Sequence, residues 1–130
     1  MGERRDIDAL HEAAAKVRER AYAPYSHFLV GAALETSDGE VFVGCNVENA
    51  SYGLRICAER TAVFTAVATG HKRFERIVIV TEEASPPCGA CLQVLREFGS
   101  ELRIELATPE RVEVVTSIAE LLPRAYAPED

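Results

Sequence analysis

Four segments of the chain place apolar residues at the three- and four-residue spacing of an amphipathic helix. They run from about 6 to 21, from near 57 to 70, from 88 to 99 and from 117 to 123. Asp6 is the predicted N-cap of the first helix, and Ser117 with Glu120 forms a capping box that opens the last one. The predicted buried stripe of the second helix is Ala58, Ala62, Val63, Ala66 and Val67. The pattern therefore predicts four helices, each with an apolar side available for packing.

Five shorter apolar segments have the length and composition of β-strands. They cover residues 29–36, 41–47, 77–80, 102–106 and 112–114. Ser37-Asp38-Gly39 is a hairpin turn signal between the first two, and the β-branched run Ile77-Val78-Ile79-Val80 is typical of a strand covered on both faces. Strands that alternate with helices in this way predict one α/β domain over residues 1–130, with a mixed sheet and helices packed on it.

The charge balance narrows the class of substrate. The chain carries 14 basic and 21 acidic residues, a net charge of -7. Proteins that bind a nucleic-acid backbone usually present a basic patch, and this sequence has none, so a small molecule is favoured over a polymer. No apolar run approaches the length of a membrane span, and the charged N-terminal residues lack the apolar core of a signal peptide. We therefore expect a cytoplasmic protein with reduced thiols and no membrane partner.

Three of the four cysteines lie in two short motifs, Cys57-Ala58-Glu59 and Pro87-Cys88-Gly89-Ala90-Cys91. Cys88 and Cys91 are three residues apart, so in a first helical turn their sulfurs point the same way. A catalytic zinc ion uses three protein ligands and leaves a fourth position for water. Glu59 can then act as an acid and base beside that position without being a ligand. These motifs predict one catalytic Zn2+ per subunit, bound by Cys57, Cys88 and Cys91.

Three thiolates leave a dication with an excess of negative charge. Both ligand segments are predicted at helix N-termini, which favour thiolates, and Arg60 is predicted to offset the excess by hydrogen bonding to a ligand sulfur.

Two other interpretations of the cysteines are open. A structural zinc site would need a fourth ligand, for which Cys45 is the candidate, although its place in a strand favours a small core residue. A thioredoxin-like dithiol at Cys88 and Cys91 would leave Cys57 and Glu59 without a role. The three histidines show no ligand spacing and are predicted to lie at the surface or in loops; they are His11, His27 and His71.

The motif Cys57-Ala58-Glu59-Arg60, taken with Pro87-Cys88-Gly89-Ala90-Cys91, resembles the signature of cytidine deaminases of the small type with three cysteine ligands. The resemblance extends to Tyr25-Ser26-His27-Phe28, to residues 44–52 and to Leu121-Leu122-Pro123, so it covers essentially the whole chain. It implies a three-layer α/β fold in which a mixed five-stranded sheet carries helices on both faces.

The resemblance also implies roles for individual residues. Phe28 would stack on the pyrimidine, Asn46 and Glu48 would hydrogen-bond the ribose 3′-hydroxyl, the Ala58 backbone would contact the base carbonyl, and Glu59 would contact ring N3. Members of this family are homotetramers whose sites are completed across interfaces. Tyr52 matches a cross-subunit position, and Tyr126 falls where the family offers an aromatic side chain from a neighbouring subunit.

The implied activity is zinc-dependent hydrolytic deamination of cytidine and 2′-deoxycytidine to uridine and 2′-deoxyuridine, with release of ammonia, in pyrimidine salvage. The alternatives are deamination of a related aminopyrimidine nucleoside such as blasticidin S, editing of a polynucleotide, or a non-catalytic zinc-stabilised module. The acidic charge and the lack of basic or aromatic insertions disfavour the polynucleotide. Four departures from the family pattern bear on substrate preference more than on reaction type; they are Leu29, Arg55, Leu92 and Arg124.

Overall fold

A five-stranded sheet forms the centre of the structure. The computed structural model describes residues 8–99 and 101–126. The strands are β1 Gly31–Thr36, β2 Val41–Cys45, β3 Phe74–Val80, β4 Arg103–Ala107 and β5 Val112–Ser117. The helices are α1 Ala9–Arg18, α2 Ala58–Ala68, α3 Gly89–Arg96 and α4 Ile118–Leu121, with a short 3-10 turn at Tyr52–Leu54. None of these helices has the length and apolar character needed to cross a membrane.

The strands follow one another across the sheet in the order β2-β1-β3-β4-β5. The β3–β4 pair is parallel, and every other pair is antiparallel. Parallel neighbours need a crossover connection, which here is α3. The prediction of a mixed five-stranded sheet is confirmed.

Both faces of the sheet are covered, as the alternation along β3 illustrates. Ile77 and Ile79 point into a core shared with α2, α3 and α4, whereas Val78 and Val80 point into a second core under α1. All four side chains are buried, and this explains why the sequence of the strand is apolar at each of these positions. The predicted three-layer arrangement is therefore confirmed.

The first helix is shorter than its periodicity suggests. Its N-cap is Asp8, whose carboxylate accepts a 3.0 Å hydrogen bond from the His11 N–H, and the helix ends at Arg18. The predicted cap, Asp6, lies outside the described residues, and because Asp8 is the cap the predicted start was two residues too early. A contact with the sheet explains why the N-cap is Asp8, because the Asp8 carboxylate also pairs with Arg76 of β3 at 2.7 Å.

Arg76 joins α1 to the sheet through three carboxylates. Its guanidinium lies 2.7 Å from Asp8, 3.1 Å from Glu35 of β1 and 3.1 Å from Glu105 of β4. Burial acts to raise the pKa of Asp8, but the His11 N–H and Arg76 outweigh it and hold that pKa below its usual range. Asp8 is therefore ionised at neutral pH.

Two predictions about individual side chains are wrong. His11 is fully buried rather than at the surface, because α1 packs against the end of β4 and the imidazole N–H donates to the Thr108 carbonyl at 2.8 Å. Val67 is exposed rather than part of the buried stripe of α2. The buried arc of that helix runs from Ala58 through Ala62 to Ala66 and includes Glu59, and Val67 lies beyond its edge.

Candidate functional site

A cavity of about 190 Å3 opens at one end of the sheet, where three strands meet. At this end β3 finishes at Val80 and β1 begins at Gly31, which pairs with both Val80 and Cys45, the last residue of β2. The walls come from these strand ends and from the first turns of α2 and α3. The cavity is lined by Phe28, Val30, Asn46, Cys57, Ala58, Glu59, Ile79, Thr81, Ser85, Pro86, Pro87 and Cys88.

Three cysteine sulfurs cluster beside this cavity, and two of them, those of Cys57 and Cys88, belong to residues that line it. Cys57 is the N-cap of α2, Cys88 is the N-cap of α3, and Cys91 lies one turn into α3. The Sγ atom of Cys88 is 3.8 Å from that of Cys57 and 3.5 Å from that of Cys91, and all three lie within 4.8 Å of one another. Cys45 is not a member of this cluster. The sulfurs are too far apart for a disulfide and close enough to share one ion.

The spacing of the sulfurs fits zinc. Zinc–thiolate bonds are about 2.3 Å long, and tetrahedral geometry then separates two sulfurs by about 3.8 Å. Two of the observed separations lie within about 0.3 Å of that value. Within residues 8–99 and 101–126 the cluster has no fourth side-chain ligand, which matches a catalytic site rather than a closed structural one.

The surroundings of the cluster favour thiolate, which is the form that binds metals. A hydrogen bond from Cys91, assisted by Arg60, lowers the pKa of Cys57 to about 5 in spite of its partial burial. Arg60 Nη2 lies 3.2 Å from the Cys57 Sγ. The same contact with Cys57 raises the pKa of Cys91. The structure thus brings Arg60 against a cluster sulfur.

Glu59 lies in the first turn of α2 with its carboxyl group in the wall of the cavity. Only 4% of the residue is exposed. Burial raises the pKa of Glu59 to about 7, and the neighbouring Cys57 charge acts in the same direction. A carboxyl group with such a pKa exchanges protons readily at neutral pH, as a general acid and base must.

Asn46 and Glu48 both hold the segment that carries Phe28. The Asn46 carboxamide accepts from the Val30 N–H at 2.9 Å and donates to the Phe28 carbonyl at 2.8 Å. The Glu48 carboxylate accepts from the Tyr25 N–H at 2.9 Å.

Ser26 adds two further hydrogen bonds to the same carboxylate. Its N–H donates to Glu48 at 3.2 Å, and its hydroxyl also donates to Glu48. These bonds, the one from the hydroxyl first, hold the pKa of Glu48 below its usual range. Of the two predicted ribose-binding residues, Asn46 lines the cavity and Glu48 does not.

The remaining predicted substrate residues fall into two groups. Phe28 and Ala58 line the cavity, and the Phe28 ring is about half exposed. Tyr52 and Tyr126 do not line it, and their exposed fractions are 80% and 73%. The Tyr126 carbonyl accepts a hydrogen bond from the Gln93 side chain, which holds Tyr126 beside α3.

The structure shows the contacts of two of the four residues that depart from the family pattern, Leu92 and Leu29. Leu92 is buried in the core shared by α2, α3 and α4. The Leu29 carbonyl accepts a hydrogen bond from Arg18 at 2.9 Å.

Several residues of the site were not predicted from the sequence. Thr81 and Ser85 line the cavity, and the Thr81 hydroxyl accepts from the Ser85 N–H at 2.7 Å, which shapes the loop leading to Cys88. The position of Thr81 immediately after a strand was an available signal, because ligands of α/β proteins bind beyond the carboxyl ends of strands. Ser26 does not follow a predicted strand, so its position offered no comparable signal.

Comparison with known proteins agrees with this site. The family model described as the cytidine and deoxycytidylate deaminase zinc-binding region matches residues 4–105. A cytidine deaminase of Sporosarcina psychrophila is 43% identical over 128 residues, covering 96% of this chain and 94% of the relative. A cytidine deaminase of Halalkalibacterium halodurans is 44% identical, with 96% and 97% covered.

A solved structure shares both the sequence and the fold. The crystal structure of a cytidine deaminase from Burkholderia pseudomallei superposes with a TM-score of 0.84 at 56% identity, covering 91% of this chain and 97% of that one. The three-thiol cluster and the buried glutamate lie within the segment that the family model matches. The chain therefore belongs to the cytidine and deoxycytidylate deaminase family, and the prediction of a zinc-binding site is confirmed.

Proposed function

We propose that this protein hydrolyses cytidine and 2′-deoxycytidine to uridine and 2′-deoxyuridine, releasing ammonia. The observation that carries the proposal is Glu59, a buried carboxyl group in the wall of a cavity that is also lined by Cys57 and Cys88 of the three-thiol cluster. A metal cluster that only stabilised a fold would gain nothing from such a group, and burying it costs free energy. A role in proton transfer explains why the protein buries the Glu59 carboxyl group in spite of this cost in free energy.

Cys57, Cys88 and Cys91 would hold the zinc ion. When bound, zinc supplies a Lewis acid that makes water nucleophilic near neutral pH. Cys57 and Cys88 cap α2 and α3, so the dipoles of both helices and the Arg60 guanidinium stabilise the negative charge of the thiolates. We propose that Arg60 serves this charge compensation.

Glu59 would carry the protons of the reaction. Replacing the C4 amino group by oxygen requires the attacking water to lose its protons, and N3 and the departing amine to gain them. A single carboxyl group can make these transfers in sequence if it accepts and donates with similar ease. The raised pKa of Glu59 satisfies that requirement at neutral pH.

Phe28, Ala58 and Asn46 would hold the nucleoside, since all three line the cavity. We propose that the Phe28 ring stacks on the pyrimidine and that the Ala58 backbone meets the base carbonyl. The Asn46 amide donates one of its two N–H groups to the Phe28 carbonyl, which leaves the second for a ribose hydroxyl. Glu48 would accept a ribose hydroxyl at the acceptor site that its three hydrogen bonds from Tyr25 and Ser26 leave open.

We also propose a homotetramer in which neighbouring subunits complete each site. Tyr52 and Tyr126 are large aromatic side chains that stay mostly exposed in one chain, and aromatic residues are enriched at protein interfaces. Size-exclusion chromatography with light scattering is expected to give four chains per particle. A stable monomer would contradict this part of the proposal.

A place in cytoplasmic pyrimidine salvage accords with these features. The cluster requires reduced cysteines, which the cytoplasm maintains. The substrates would be free nucleosides, the small molecules favoured by the acidic charge of the chain.

Mass spectrometry of a substrate panel tests the proposed function. The zinc-loaded protein is incubated with cytidine, deoxycytidine, blasticidin S, cytosine, CMP and a short cytosine-containing DNA. We expect cytidine and deoxycytidine to exchange the amino group for oxygen, with the DNA unchanged. Conversion of blasticidin S alone would assign a modified nucleoside, and no conversion of any compound by zinc-loaded protein would refute the proposal.

A further inference from the structure

Arg55 lies two residues before Cys57, at the end of the 3-10 turn Tyr52–Leu54. Its neighbours in that turn are strongly exposed, whereas only 23% of the Arg55 side chain is. The guanidinium turns back towards the protein, where Nε donates to the Asn49 carbonyl at 3.0 Å. A surface arginine with no role would extend into solvent, so this conformation is maintained by specific contacts.

Two tyrosine rings pack against the Arg55 guanidinium. Its central carbon lies 4.2 Å from the centroid of Tyr52 and 5.0 Å from that of Tyr25, both within the range of cation–π attraction. Tyr25 and Tyr52 are 27 residues apart in the sequence, and Arg55 connects the two segments that carry them. One side chain thus joins the loop after α1 to the segment that leads into the zinc ligands.

The same guanidinium faces the buried carboxylate of Glu48. Arg55 Nη1 lies 4.0 Å from the Glu48 carboxylate, of which 8% is exposed. The hydrogen-bond donors on that carboxylate come from Tyr25 and Ser26 and are all neutral. Within the described residues, Arg55 is the cation that pairs with Glu48. Its positive charge therefore stabilises the ionised form that accepts these three bonds.

The chain of contacts continues from Glu48 to Phe28. The Ser26 hydroxyl, which donates to Glu48, accepts a 3.0 Å hydrogen bond from the Phe28 N–H. Between them, His27 has a φ of 60°, a left-handed conformation that costs a non-glycine residue free energy. Such a turn persists only if its surroundings hold it. The Glu48 carboxylate supplies that restraint, and the turn sets the position of the Phe28 ring in the cavity wall.

We propose that Arg55 is a positioning residue for the nucleoside site. Through Glu48 and Tyr25 it holds the turn of residues 25–28, and so fixes the aromatic wall against which the base binds. The proposal rests on the proposed function for its kinetic consequence, but the ordering of the turn can be measured without any activity. Arg55 itself does not line the cavity, so its effect on substrate passes through Glu48 and Phe28.

The kinetic test compares Arg55→Ala with wild type. An aromatic wall contacts the base in the ground state and the transition state alike, so its loss raises KM more than it lowers kcat. Loss of one ion pair and of two cation–π contacts at a partly exposed site predicts a rise in KM of about 3- to 10-fold. We expect zinc content to stay at the wild-type value and kcat to change by less than about twofold.

Two further variants separate positioning from general destabilisation. Arg55→Lys keeps the charge but loses the planar group that packs on the rings, so its KM should fall between wild type and Arg55→Ala. Arg111→Ala removes an exposed arginine that pairs with Glu113 at 2.7 Å and does not line the cavity, so it should leave KM unchanged. A merely structural role for Arg55 would lower the melting temperature and kcat without the selective rise in KM.

Hydrogen exchange tests the positioning directly. In Arg55→Ala the amides of Tyr25, Ser26 and Phe28 should exchange at least several-fold faster than in wild type, whereas those of β3 keep their rates. Unchanged exchange together with unchanged KM would overturn the proposal, as would loss of zinc accompanied by an equal fall in kcat. If the wild-type protein does not deaminate cytidine, the proposed function fails, and the exchange rates alone decide whether Arg55 orders the turn.

Discussion

The close approach of β2 to α2 predicts that Gly44→Ala impairs the site although Gly44 does not line the cavity. A methyl group at Gly44 would lie 2.5 Å from the Ala58 carbonyl oxygen and 2.6 Å from the Ala62 nitrogen. Both are backbone atoms of a helix, so no rotation of a side chain relieves the overlap. Because ordinary non-bonded contacts begin near 3.5 Å, α2 must move away from the sheet by about 1 Å.

That movement has two measurable consequences. Overpacking of this size lowers the free energy of unfolding by about 1–3 kcal/mol, or roughly 4–12 °C in melting temperature for a chain of this length. Cys57 caps the displaced helix and Glu59 lies in its first turn, so the proton carrier moves with it. A misplacement of about 1 Å lowers kcat by roughly 10- to 100-fold.

Thermal unfolding followed by circular dichroism and initial rates at saturating cytidine provide the assay. Gly53→Ala is the matched control, because a methyl group there meets nothing within 4 Å, and it should behave as wild type. Wild-type stability and wild-type turnover in Gly44→Ala would refute the packing argument. A lowered melting temperature with unchanged kcat would refute the link from this packing to the geometry of the site.

Two further predictions concern the metal ligands and the cap of α1. Cys45→Ser should retain one zinc per chain by elemental analysis while Cys91→Ser loses it, since only the latter sulfur belongs to the cluster; zinc retained by Cys91→Ser would contradict the ligand set. Asp8→Asn keeps a hydrogen-bond acceptor but removes the charge facing Arg76, so it should lower the free energy of unfolding by about 0.5–1 kcal/mol at pH 7. Because the pKa of Asp8 is lowered in the folded protein, that contribution is present above about pH 4 and is lost as the pH falls further. Denaturant titrations should therefore show a larger difference at pH 7 than at pH 3, and an equal difference at both would contradict the charge argument.

The sequence predicted the order of the elements and the three-thiol cluster because those features depend on local spacing. Cys88 and Cys91 share one turn of a helix, and the strand at Ile77-Val78-Ile79-Val80 is apolar at every position. Glu59 was identifiable because it follows Cys57 within the same motif. Local chemistry and local geometry agree at these positions, so little tertiary information is needed.

Other features depended on contacts between distant parts of the chain. Asp6 and Asp8 have the same intrinsic preference for a cap, and Asp8 lies at the cap position because Arg76 of β3 also binds it. His11 is buried because α1 lies over the end of β4, which its own sequence does not reveal. The Glu48 carboxylate accepts hydrogen bonds from Tyr25 and Ser26, which precede it by 23 and 22 positions in the sequence. Its role in shaping the wall of the cavity is therefore visible only in the folded protein.

If one zinc site and one buried carboxyl group perform catalysis together, Glu59→Gln should abolish turnover and leave the metal in place. The amide occupies nearly the volume of the carboxyl group and cannot carry protons, so the fold and the metal should be unaffected. Zinc content and cytidine turnover are measured on the same preparation, with wild type alongside. We expect one zinc per chain in both proteins and a loss of turnover in the variant of at least about 100-fold. Full turnover in Glu59→Gln with zinc bound would contradict this expectation.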